Sequence, residues 1–596
     1  MIEPFLKSPD VWRATLADRA PSPDLALEPS RQGGPTLRAG KIQIHSRYNP
    51  EEEARRLVES AGLAEGRPVV AIGCGLGYHV LALLEGGHEV VVLEPDADVV
   101  KLACEGPLAG ADCQIGAGPL PSGEALAPLT DFMARSPHLL VHPPTAQLHP
   151  DYAEETLATL NVAALAGKHL NIAIVGPLYG GSLPIAGYLA RAFERLGHHT
   201  RHINHADAWP LYEKLQGSIK GAGPAAQLSG LYTQFLSEWT YAQVAEFNPE
   251  ICIVLAQAPV APTFPDRLRK HGIVTAFWYV ENWRHLPYWR DIARHYDYFF
   301  HIQPGEFETK LDEAGCRRHA FVQTACDPDL HRPVTLSADE RAHFDCDLSF
   351  AGAGYYNRIN FFKGLGDYNF KIWGVSWPDR HVAKLLVDGE SRFDSETFMK
   401  IVAGSRINLN LHSSSSKPGV DPDCDAINPR VFEIAAAGGF QLCDPCTGLD
   451  RLFDFEMELP VYRDLKELRE KIDYFLAHPE ARTRFAEAGR RRALAEHTYT
   501  HRAEAMLGHL FRAFGSRMLQ RGIRARHTFG EIAARLKPEE ELRQWLGHFP
   551  EDTPFTFDEI AGRSLPKGAP NLYPEQVIAY MRQVKQDADA ALKLMR

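Results

Sequence analysis

Short apolar runs alternate with longer amphipathic segments along most of this chain. The first set begins at "PVVAIGCGLGYHVLALLEGGHEVVVLEPD", where a buried strand over 69–72 meets a glycine turn. A helix follows, and a second strand ends at Glu94. Strands that alternate with helical segments in this way are typical of parallel sheets covered by helices. The pattern therefore predicts an α/β fold.

Two further sets repeat the order strand, glycine loop, helix and strand. One begins at "LNIAIVGPLYGGSLPIAGYLARAFERLGHHTRHIN", and the other begins near "CDLSFAGAGYYNRINFFKGL" and runs to about residue 505. The polar stretch "CDPDLHRPVTLSADERAHFD" separates them. We predict three Rossmann-like domains and a helical C-terminal tail with a Pro/Gly-rich break at "GRSLPKGAPNLYP". The predicted bounds are 1–165, 166–335, 336–505 and 506–596.

Composition agrees with several globular domains. The 596 residues exceed what one hydrophobic core holds, and 45% of them are hydrophobic and 23% charged. The net charge of −12 argues against nucleic-acid binding, which needs a basic surface. No apolar run approaches the roughly 20 residues of a membrane span, and the N-terminus lacks the apolar core of a secretory signal. We therefore expect a cytoplasmic protein.

The ten cysteines are scattered, which is typical of a reduced cytosolic protein. Cys443 and Cys446 in "CDPC" have the spacing of a metal or redox pair, but no second CxxC or CxxH accompanies them. We interpret them as two half-buried thiols in a loop and expect no metal.

The first glycine loop has the pattern of a nucleotide-binding turn. Gly73, Gly75 and Gly77 follow a strand, and Glu94 closes the next strand. Glycines allow a backbone to approach a nucleotide closely, and the acid can hydrogen-bond a ribose. The pattern resembles that of S-adenosylmethionine-dependent methyltransferases, which implies the fold more strongly than the activity.

A departure from that family argues against methyl transfer. Methyltransferases that act on amino nitrogens often carry Asn/Asp-Pro-Pro-aromatic after the fourth strand, whereas "LLVHPPT" has His142 and Thr145 at the two informative positions. The stretch "IHSRYNPEEEARRLVES" followed by "IGCGLGYHVLALL" resembles instead the N-terminal part of Maf-type (motility-associated) flagellin glycosyltransferases. This resemblance implies a non-methylating module for scaffolding or acceptor recognition.

The second and third sets together resemble the GT-B architecture, in which two Rossmann-like domains face each other across a cleft. "GPLYGGSLPIAGYLARAFERLGH" is similar to the first glycine loop and helix of an acceptor domain, and "FVQTACDPDLHRPV" is similar to the interdomain linker. Ligands in such sheets bind beyond the carboxyl ends of the strands. In this domain Gly180, Gly181 and Ser182 of the glycine loop are cofactor-binding candidates. Glu281 and His285 of "YVENWRH", in the acceptor loop, are candidate bases.

The stretch "DCDAINPRVFEIAAAGGFQL" contains two acids eight positions apart, Asp425 and Glu433. This spacing before a small-residue helix resembles the E-x7-E donor motif of retaining GT-B glycosyltransferases. The resemblance implies that Glu433 hydrogen-bonds the ribose hydroxyls of the donor. It also implies that Asp425, where the family usually has Glu, contacts the sugar and is a catalytic candidate. Between them, Asn428 can cap the helix and Arg430 can pair with a diphosphate.

Further donor-side candidates lie in "AGAGYYNR" and beyond "INLNL". In GT-B donor domains a basic pair after the glycines often neutralises the diphosphate leaving group without a metal, which here implies Arg358 and Lys363. The remaining donor-binding candidates are Gly352, Gly354, Tyr355 and His412.

"NPRVFEIAAAGGFQLCD", preceded by "SRINLNLH" and followed by "HTYTHRAEAML", resembles CgeB-like (spore-maturation-type) glycosyltransferases. The resemblance covers about residues 170–510 and implies a bacterial, metal-independent enzyme that uses a nucleotide sugar, a UDP-sugar before others, with retention slightly favoured. The Maf-like domain implies a protein acceptor such as flagellin, modified on Ser or Thr. Two alternatives stay open: a methyltransferase fused to a degenerate GT-B module, and a non-catalytic scaffold of a surface-glycan or motility assembly.

Overall fold

The computed structural model describes residues 5–64, 66–121, 126–135, 137–165, 168–525, 529–534, 541–549 and 551. The chain divides into two compact units. One consists of the described parts of Met1–Lys168 and Gly508–Arg596, and the other is His169–Leu507. The Pro/Gly-rich break predicted in the tail lies outside the described residues. No helix in the described part of the chain is both long and apolar enough to cross a membrane.

The first unit is built around a five-stranded sheet in the order β1-β7-β6-β5-β8, with a separate antiparallel sheet of β2, β3 and β4. All pairings in the larger sheet are parallel except that of β1 with β7. Its central strands are buried on both faces, which explains their continuous Val-rich runs. The elements are β1 (Leu6–Lys7), α1 (Pro9–Thr15), β2 (Leu25–Glu28), β3 (Thr36–Ala39), β4 (Ile42–Gln43), α2 (Pro50–Ser60), β5 (Val69–Ile72), α3 (Tyr78–Glu85), β6 (Val90–Glu94), α4 (Ala97–Glu105), β7 (Gln114–Ala117), α5 (Ala127–Ala134), β8 (His138–Val141), α6 (Pro143–Leu148) and α7 (Pro150–Leu165).

The second unit begins with a six-stranded parallel sheet in the order β10-β9-β11-β12-β13-β14. We call this part the acceptor half, after the role that the sequence resemblance implies for it. Its elements are β9 (Asn171–Val175), α8 (Leu183–Arg195), β10 (His199–Ile203), α9 (Trp209–Ser218), α10 (Ala222–Phe247), β11 (Ile251–Leu255), α11 (Phe264–Lys270), β12 (Val274–Tyr279), α12 (Trp289–Ile292), β13 (Tyr298–His301), α13 (Glu306–Glu313) and β14 (His319–Phe321).

The second unit continues with a five-stranded parallel sheet in the order β17-β16-β15-β18-β19. We call this part the donor half, again after the role that the resemblance implies. Its elements are α14 (Ala338–Phe344), β15 (Cys346–Ala351), α15 (Tyr356–Phe362), β16 (Phe370–Gly374), β17 (Leu386–Glu390), α16 (Ser395–Gly404), β18 (Ser405–Asn410), α17 (Arg430–Ala436), β19 (Gln441–Cys443), α18 (Leu465–Ala477), α19 (Pro479–Glu496) and the first residues of α20 (Tyr499–Ala525). From Gly508 onward α20 belongs to the first unit, as do the short helices α21 (Phe529–Ala534) and α22 (Glu541–Leu546).

A buried linker joins the two halves of the second unit. Asp327 is fully buried there, and its carboxylate accepts hydrogen bonds from Arg191 Nε (2.8 Å) and Arg195 Nη2 (2.5 Å) of α8. Because a buried charge needs paired partners, these contacts fix the linker on α8. Two helix-covered parallel sheets joined in this way, with a third in the other unit and a helical C-terminal region, confirm the predicted fold class.

The C-terminal part of α20 packs on α7 within the first unit. Asn161 of α7 donates from Nδ2 to the carbonyl of Arg512 (3.3 Å) and accepts from Ser516 Oγ (2.9 Å). A Cβ atom at Gly515 would lie 2.5 Å from that of Asn161, so glycine permits this close approach. The beginning of the predicted tail therefore belongs to the same unit as the N-terminal sheet.

Candidate functional site

The candidate site of the second unit lies where strands of both halves end. Ligands of open parallel sheets bind beyond the carboxyl ends of the strands. In the acceptor half, the loops after β9, β11 and β12 lie at this edge, and in the donor half the loops after β15 and β18 do so.

Glu281, directly after β12, is the titratable group of the acceptor half that best suits proton transfer. Its Oε1 accepts a hydrogen bond from the hydroxyl of Ser182 at 3.3 Å. Burial raises the pKa of Glu281 to about 7, although the hydrogen bond from Ser182 opposes this shift. A carboxyl with a pKa near neutrality can accept a proton at physiological pH. The structure thus brings together Ser182 and Glu281, which are 99 positions apart.

Gln257, which the sequence analysis did not single out, lies against the glycine loop of the acceptor half. It has a positive φ of 64°, and its backbone N–H donates to the hydroxyl of Tyr288 at 2.9 Å. Its Oε1 is buried and has no hydrogen-bond partner among the described residues. Such strain and such an unpaired group each cost about 1–3 kcal/mol, so they mark a functional candidate. Nothing in "VLAQAPV" signals this conformation.

The glycine loop itself divides into one constrained and one open position. Gly180 has a φ of 106°, and a Cβ atom there would lie 2.6 Å from Oε1 of Gln257. Gly181 faces open space. His285, in the loop after β12, is exposed, whereas the neighbouring Arg284 forms the contacts described next.

Asp425 connects the two halves of the unit. Its Oδ2 accepts from Arg284 Nη1 at 2.7 Å, and its Oδ1 accepts from Gln303 Nε2 at 2.6 Å. Arg284 also donates from Nη2 to Glu306 at 3.0 Å. The Asp425 side chain is only 17% exposed, so the ion pair with Arg284 is partly shielded from water. Both oxygens of the first acid of the motif are therefore held by the acceptor half.

Glu433, the second acid, is 3% exposed in the first turn of α17. Its Oε2 accepts from Arg430 Nη1 at 2.5 Å, while Nε2 of His331 lies 3.8 Å from its Oε1. Arg430 also lies over the ring of Phe398, 3.8 Å from the ring centroid. Burial, followed by the charge of Glu433, raises the pKa of Tyr188 to about 12. Oε2 of Glu433 is thus bonded closely to Arg430, whereas Oε1 has only the more distant His331 as a partner.

Asn428 points to the end of β18 and does not cap α17. Its Nδ2 donates to Oδ1 of Asn410 at 2.9 Å, and its own Oδ1 is buried without a hydrogen-bond partner among the described residues. The helix begins after Pro429, which occupies the N-cap position. Asn410, absent from the sequence-based candidates, therefore joins the donor-side group.

Arg358 is a buried cation whose direct partners are neutral. It donates from Nε (2.9 Å) and Nη2 (2.7 Å) to the carbonyl of Leu411 and from Nη1 to that of Ala353 (3.0 Å). Burial lowers its pKa to about 10. Among the described residues, no Asp or Glu carboxylate lies within ion-pair distance (4.0 Å) of the Arg358 guanidinium. Its guanidinium lies 5.1 Å from the ring centroid of Tyr355, which is 46% exposed.

The glycines next to Arg358 serve close packing. A Cβ atom on Gly354 would collide with the backbone of Ser376, and the indole N–H of Trp377 donates to the carbonyl of Gly352 at 3.1 Å. A small cavity of about 20 Å³ lies beside this loop. Residues that line the cavity include Phe350, Arg358, Phe398, Asn410, Arg430 and Ile434. Arg358 and Arg430 thus meet around one small space at the end of the donor sheet.

Two candidates, Lys363 and His412, are bonded to acids outside this group. Lys363 follows the C-terminal end of α15, the end away from the glycine loop, and pairs with Asp379 at 2.9 Å. His412 is buried, and its Nδ1 shares a hydrogen bond with Oδ1 of Asp444 at 2.7 Å. In the described part of the chain, no hydrogen bond or ion pair joins either residue to Arg358 or Arg430.

The glycine loop of the first unit packs against side chains of its own chain. Gly73, Gly75 and Gly77 have φ values of 92°, 50° and 94°. Cβ atoms at the first two would collide with Thr145 and His45. The glycines are therefore required by contacts within the unit, whether or not a ligand binds.

Two amide groups of that loop are already bonded. Cys74 N–H donates to Oε2 of Glu94 at 2.7 Å, and Leu76 N–H donates to Nε2 of His45 at 2.7 Å. Glu94 is 1% exposed, and burial raises its pKa to about 7. A cavity of about 520 Å³ nevertheless lies beside the loop, with Lys41, Glu94 and Asp96 in its lining. The space suffices for a small ligand, so methyl transfer needs a direct test.

Residues 358–508 match a family model described as Glycosyl transferase-like. A protein of Treponema pallidum (strain Nichols) named "Uncharacterized protein" is 37% identical over 106 residues, which is 16% of this chain and 36% of that protein. The chain thus matches little more than a third of the length of this curated relative.

Solved structures show a weaker likeness. Sucrose-phosphate synthase from Thermosynechococcus elongatus has 14% identity and a TM-score of 0.40, over 58% of this chain and 98% of the other. A glycosyltransferase from Rickettsia africae ESF-5 has 13% identity and a TM-score of 0.40, over 57% and 97%. Anabaena Alr3699/HepE in complex with UDP and glucose has 10% identity and a TM-score of 0.38, over 57% and 98%. The family match, which covers residues 358–508, is the informative comparison.

Proposed function

We propose that the second unit is a glycosyltransferase that moves a sugar from a nucleotide sugar to an acceptor hydroxyl. The proposal rests on the buried residue Arg358, which lies next to the glycine loop after β15. Its charge has no carboxylate partner among the described residues. A buried cation is stable only when paired, and a nucleoside diphosphate supplies the missing negative charge. The glycosyl transferase-like match, which begins at this residue, agrees with that ligand.

The donor site combines charge and hydrogen-bond acceptors. Arg358 and Arg430 line one cavity, so both can stabilise the diphosphate as it leaves. Glu433 accepts from the ribose hydroxyls, because a carboxylate offers two acceptor oxygens. Two guanidinium groups make a divalent cation at the diphosphate unnecessary, and UDP is the first nucleotide to test.

The acceptor hydroxyl is deprotonated by Glu281 in this proposal. Its pKa of about 7 leaves much of the carboxylate ionised at neutral pH. Ser182 positions the carboxylate through its hydrogen bond. Gln257, strained and with an unpaired Oε1, is placed to orient a polar group of the acceptor.

Asp425 is assigned to the sugar end of the donor. Its two oxygens bind Arg284 and Gln303, and in this proposal a sugar hydroxyl replaces one of these partners when the donor binds. The acid-x7-acid spacing supports retention of anomeric configuration, as in the enzymes that the motif resembles. The stereochemical outcome can be read from the NMR coupling constant of the product.

We infer further that the acceptor is a protein, modified on Ser or Thr, and that the first unit recognises it. The resemblance to CgeB-like and Maf-type enzymes supports this assignment, with flagellin as the model acceptor. Remote binding energy from an added unit can orient a reacting hydroxyl. In the first unit, the Leu76 N–H of the glycine loop is already bonded to His45, which argues against methyl transfer.

Binding and hydrolysis measurements separate the three functions. A glycosyltransferase binds UDP and slowly hydrolyses the UDP-sugar, and both properties weaken in Arg358→Met. A scaffold shows neither property. A methyltransferase transfers tritium from labelled S-adenosylmethionine to a cellular acceptor and loses this activity in Gly75→Arg. If folded Arg358→Met binds every nucleoside diphosphate as tightly as the wild type does, the proposed donor site is wrong.

A further inference from the structure

Three side chains with ligand atoms for soft metals converge near the loop before α17 that contains Asp425. One ring nitrogen of His412 and the Sγ atoms of Cys424 and Cys446 all lie within 4.8 Å of one another. The two sulfur atoms are 3.1 Å apart. The residues come from three separate segments, namely the end of β18, the loop before α17 and the loop after β19. Their convergence is therefore a product of the fold and not of local spacing.

The imidazole of His412 is oriented as in a metal ligand. Its Nδ1 shares a hydrogen bond with Oδ1 of Asp444 at 2.7 Å, and both side chains are buried. Its Nε2 is buried and has no hydrogen-bond partner within the described residues. Metal-bound histidines usually hydrogen-bond a carboxylate through the other ring nitrogen, as His412 does. Nε2 is thus the nitrogen available to an ion.

We propose that His412, Cys424 and Cys446 bind one Zn²⁺ ion, with Asp444 orienting the imidazole. Thiolate and imidazole are the ligands that zinc prefers, whereas Mg²⁺ and Mn²⁺ prefer oxygen. Tetrahedral coordination with Zn–S bonds of about 2.3 Å sets the sulfur atoms roughly 3.8 Å apart. The cysteines therefore need to separate by less than about 1 Å. Three protein ligands leave the fourth position to water.

The site differs from the one that sequence spacing suggests. The CxxC motif pairs Cys446 with Cys443, but in the fold Cys446 contacts Cys424, 22 positions earlier. Cys443 belongs to a second group with His412 and Asp444. This proposal departs from the sequence-based expectation of no metal, and it does not depend on glycosyl transfer.

A bound ion would restrain the loop before α17, which contains Cys424 and Asp425. Cys424 immediately precedes Asp425, whose carboxylate binds the acceptor half. A metal that ties this loop to the ends of β18 and β19 restricts the position of Asp425. Because the ligands are soft and buried, the ion is distinct from any cation on a diphosphate.

Cobalt substitution tests the site in the full chain. The reduced protein is stripped with chelator and titrated with Co²⁺ alone, then with Zn²⁺ in competition. We expect one Co²⁺ per chain, with the sulfur-to-cobalt charge-transfer absorption of thiolate ligation. Cys424→Ser and Cys446→Ser each lower cobalt affinity by about tenfold or more, and the matched control Cys316→Ser, whose sulfur lies near the Arg318 carbonyl, does not. A folded, reduced chain that binds no Co²⁺ overturns the proposal, as does unchanged binding in both serine variants.

A second measurement needs no variant. Alkylation of the native chain with iodoacetamide, mapped by mass spectrometry, is compared before and after Zn²⁺ addition. We expect zinc to slow alkylation of both Cys424 and Cys446. Equal alkylation with and without zinc overturns the proposal. The proposal is also overturned if the protein purified without reductant contains a Cys424–Cys446 disulfide and no metal is released when that disulfide forms.

Discussion

The proposed ribose role of Glu433 is open to a direct test by Glu433→Gln. This change keeps the volume of the side chain but replaces a double acceptor by a group with one acceptor oxygen. Wild-type Glu433 is 3% exposed and bonded to Arg430 at 2.5 Å. The loss of hydrogen bonds to ribose costs about 1–3 kcal/mol, so we expect UDP affinity to fall roughly 5- to 150-fold.

Stability must be measured beside affinity, since the same change weakens an ion pair. Removing one partner of a fully buried pair costs roughly 3–5 kcal/mol. Arg430 is 33% exposed, so water can solvate it and the loss of unfolding free energy is smaller. The matched control is Glu396→Gln, because the Glu396 side chain is 75% exposed and pairs with Lys400 on a helix surface. Thermal unfolding of both variants identifies any effect that comes from the fold.

Calorimetry with UDP and its 2′,3′-dideoxy analogue isolates the ribose contact. Wild-type protein should bind UDP more tightly than the analogue, and Glu433→Gln should bind the two with more similar affinities. The Glu396→Gln control should keep the wild-type preference. If Glu433→Gln is folded and discriminates between the ligands as strongly as the wild type, Glu433 does not hold the ribose.

The remaining predictions concern charge, protons, metals and domains. Arg358→Met lowers affinity for UDP more than for uridine, and equal losses in calorimetry contradict a diphosphate contact. The transfer rate rises with pH through about 7 as Glu281 ionises, and a pH–rate profile of Glu281→Gln should lack this limb. The pKa of Glu281 in the folded protein lies above its ordinary value. The free energy of unfolding of the wild type relative to Glu281→Gln is therefore greatest below about pH 4.5 and declines as the pH rises through about 7. Denaturant titrations at several pH values measure this difference. Adding Mg²⁺ or Mn²⁺ to zinc-loaded enzyme leaves the transfer rate unchanged, whereas strong activation contradicts metal-independent transfer. The isolated unit 169–507 should retain donor hydrolysis but not transfer to protein, and undiminished transfer refutes a recognition role for the first unit.

The sheet architecture could be predicted because its signal is local. The strand predicted over 69–72 is β5 with the same bounds, since four consecutive apolar residues suit a strand buried on both faces. The packing of the tail on α7 had no such signal. It depends on Gly515 meeting Asn161, a contact between positions more than 350 apart.

The site was less predictable, since its important contacts are distant in sequence. The motif indicated Asp425, but its partners Arg284 and Gln303 are 141 and 122 positions away. Gln257 has a positive φ that no residue pattern encodes. For the same reason the spacing of Cys443 and Cys446 was misleading, because the ligand set that we propose is assembled from three segments.

The contacts of Asp425 also offer a physical reason for the shorter acid in the donor motif. Its two oxygens bind Gln303 at 2.6 Å and Arg284 at 2.7 Å, both from the acceptor half. A glutamate is longer by one methylene, so it would displace these groups or bend away from them. The first acid thus fits a contact between the halves, while Glu433 keeps the length that the proposed ribose contact requires. In the proposed donor site the same carboxylate exchanges a protein partner for a sugar hydroxyl, so we expect donor binding and the association of the two halves to be coupled through Asp425.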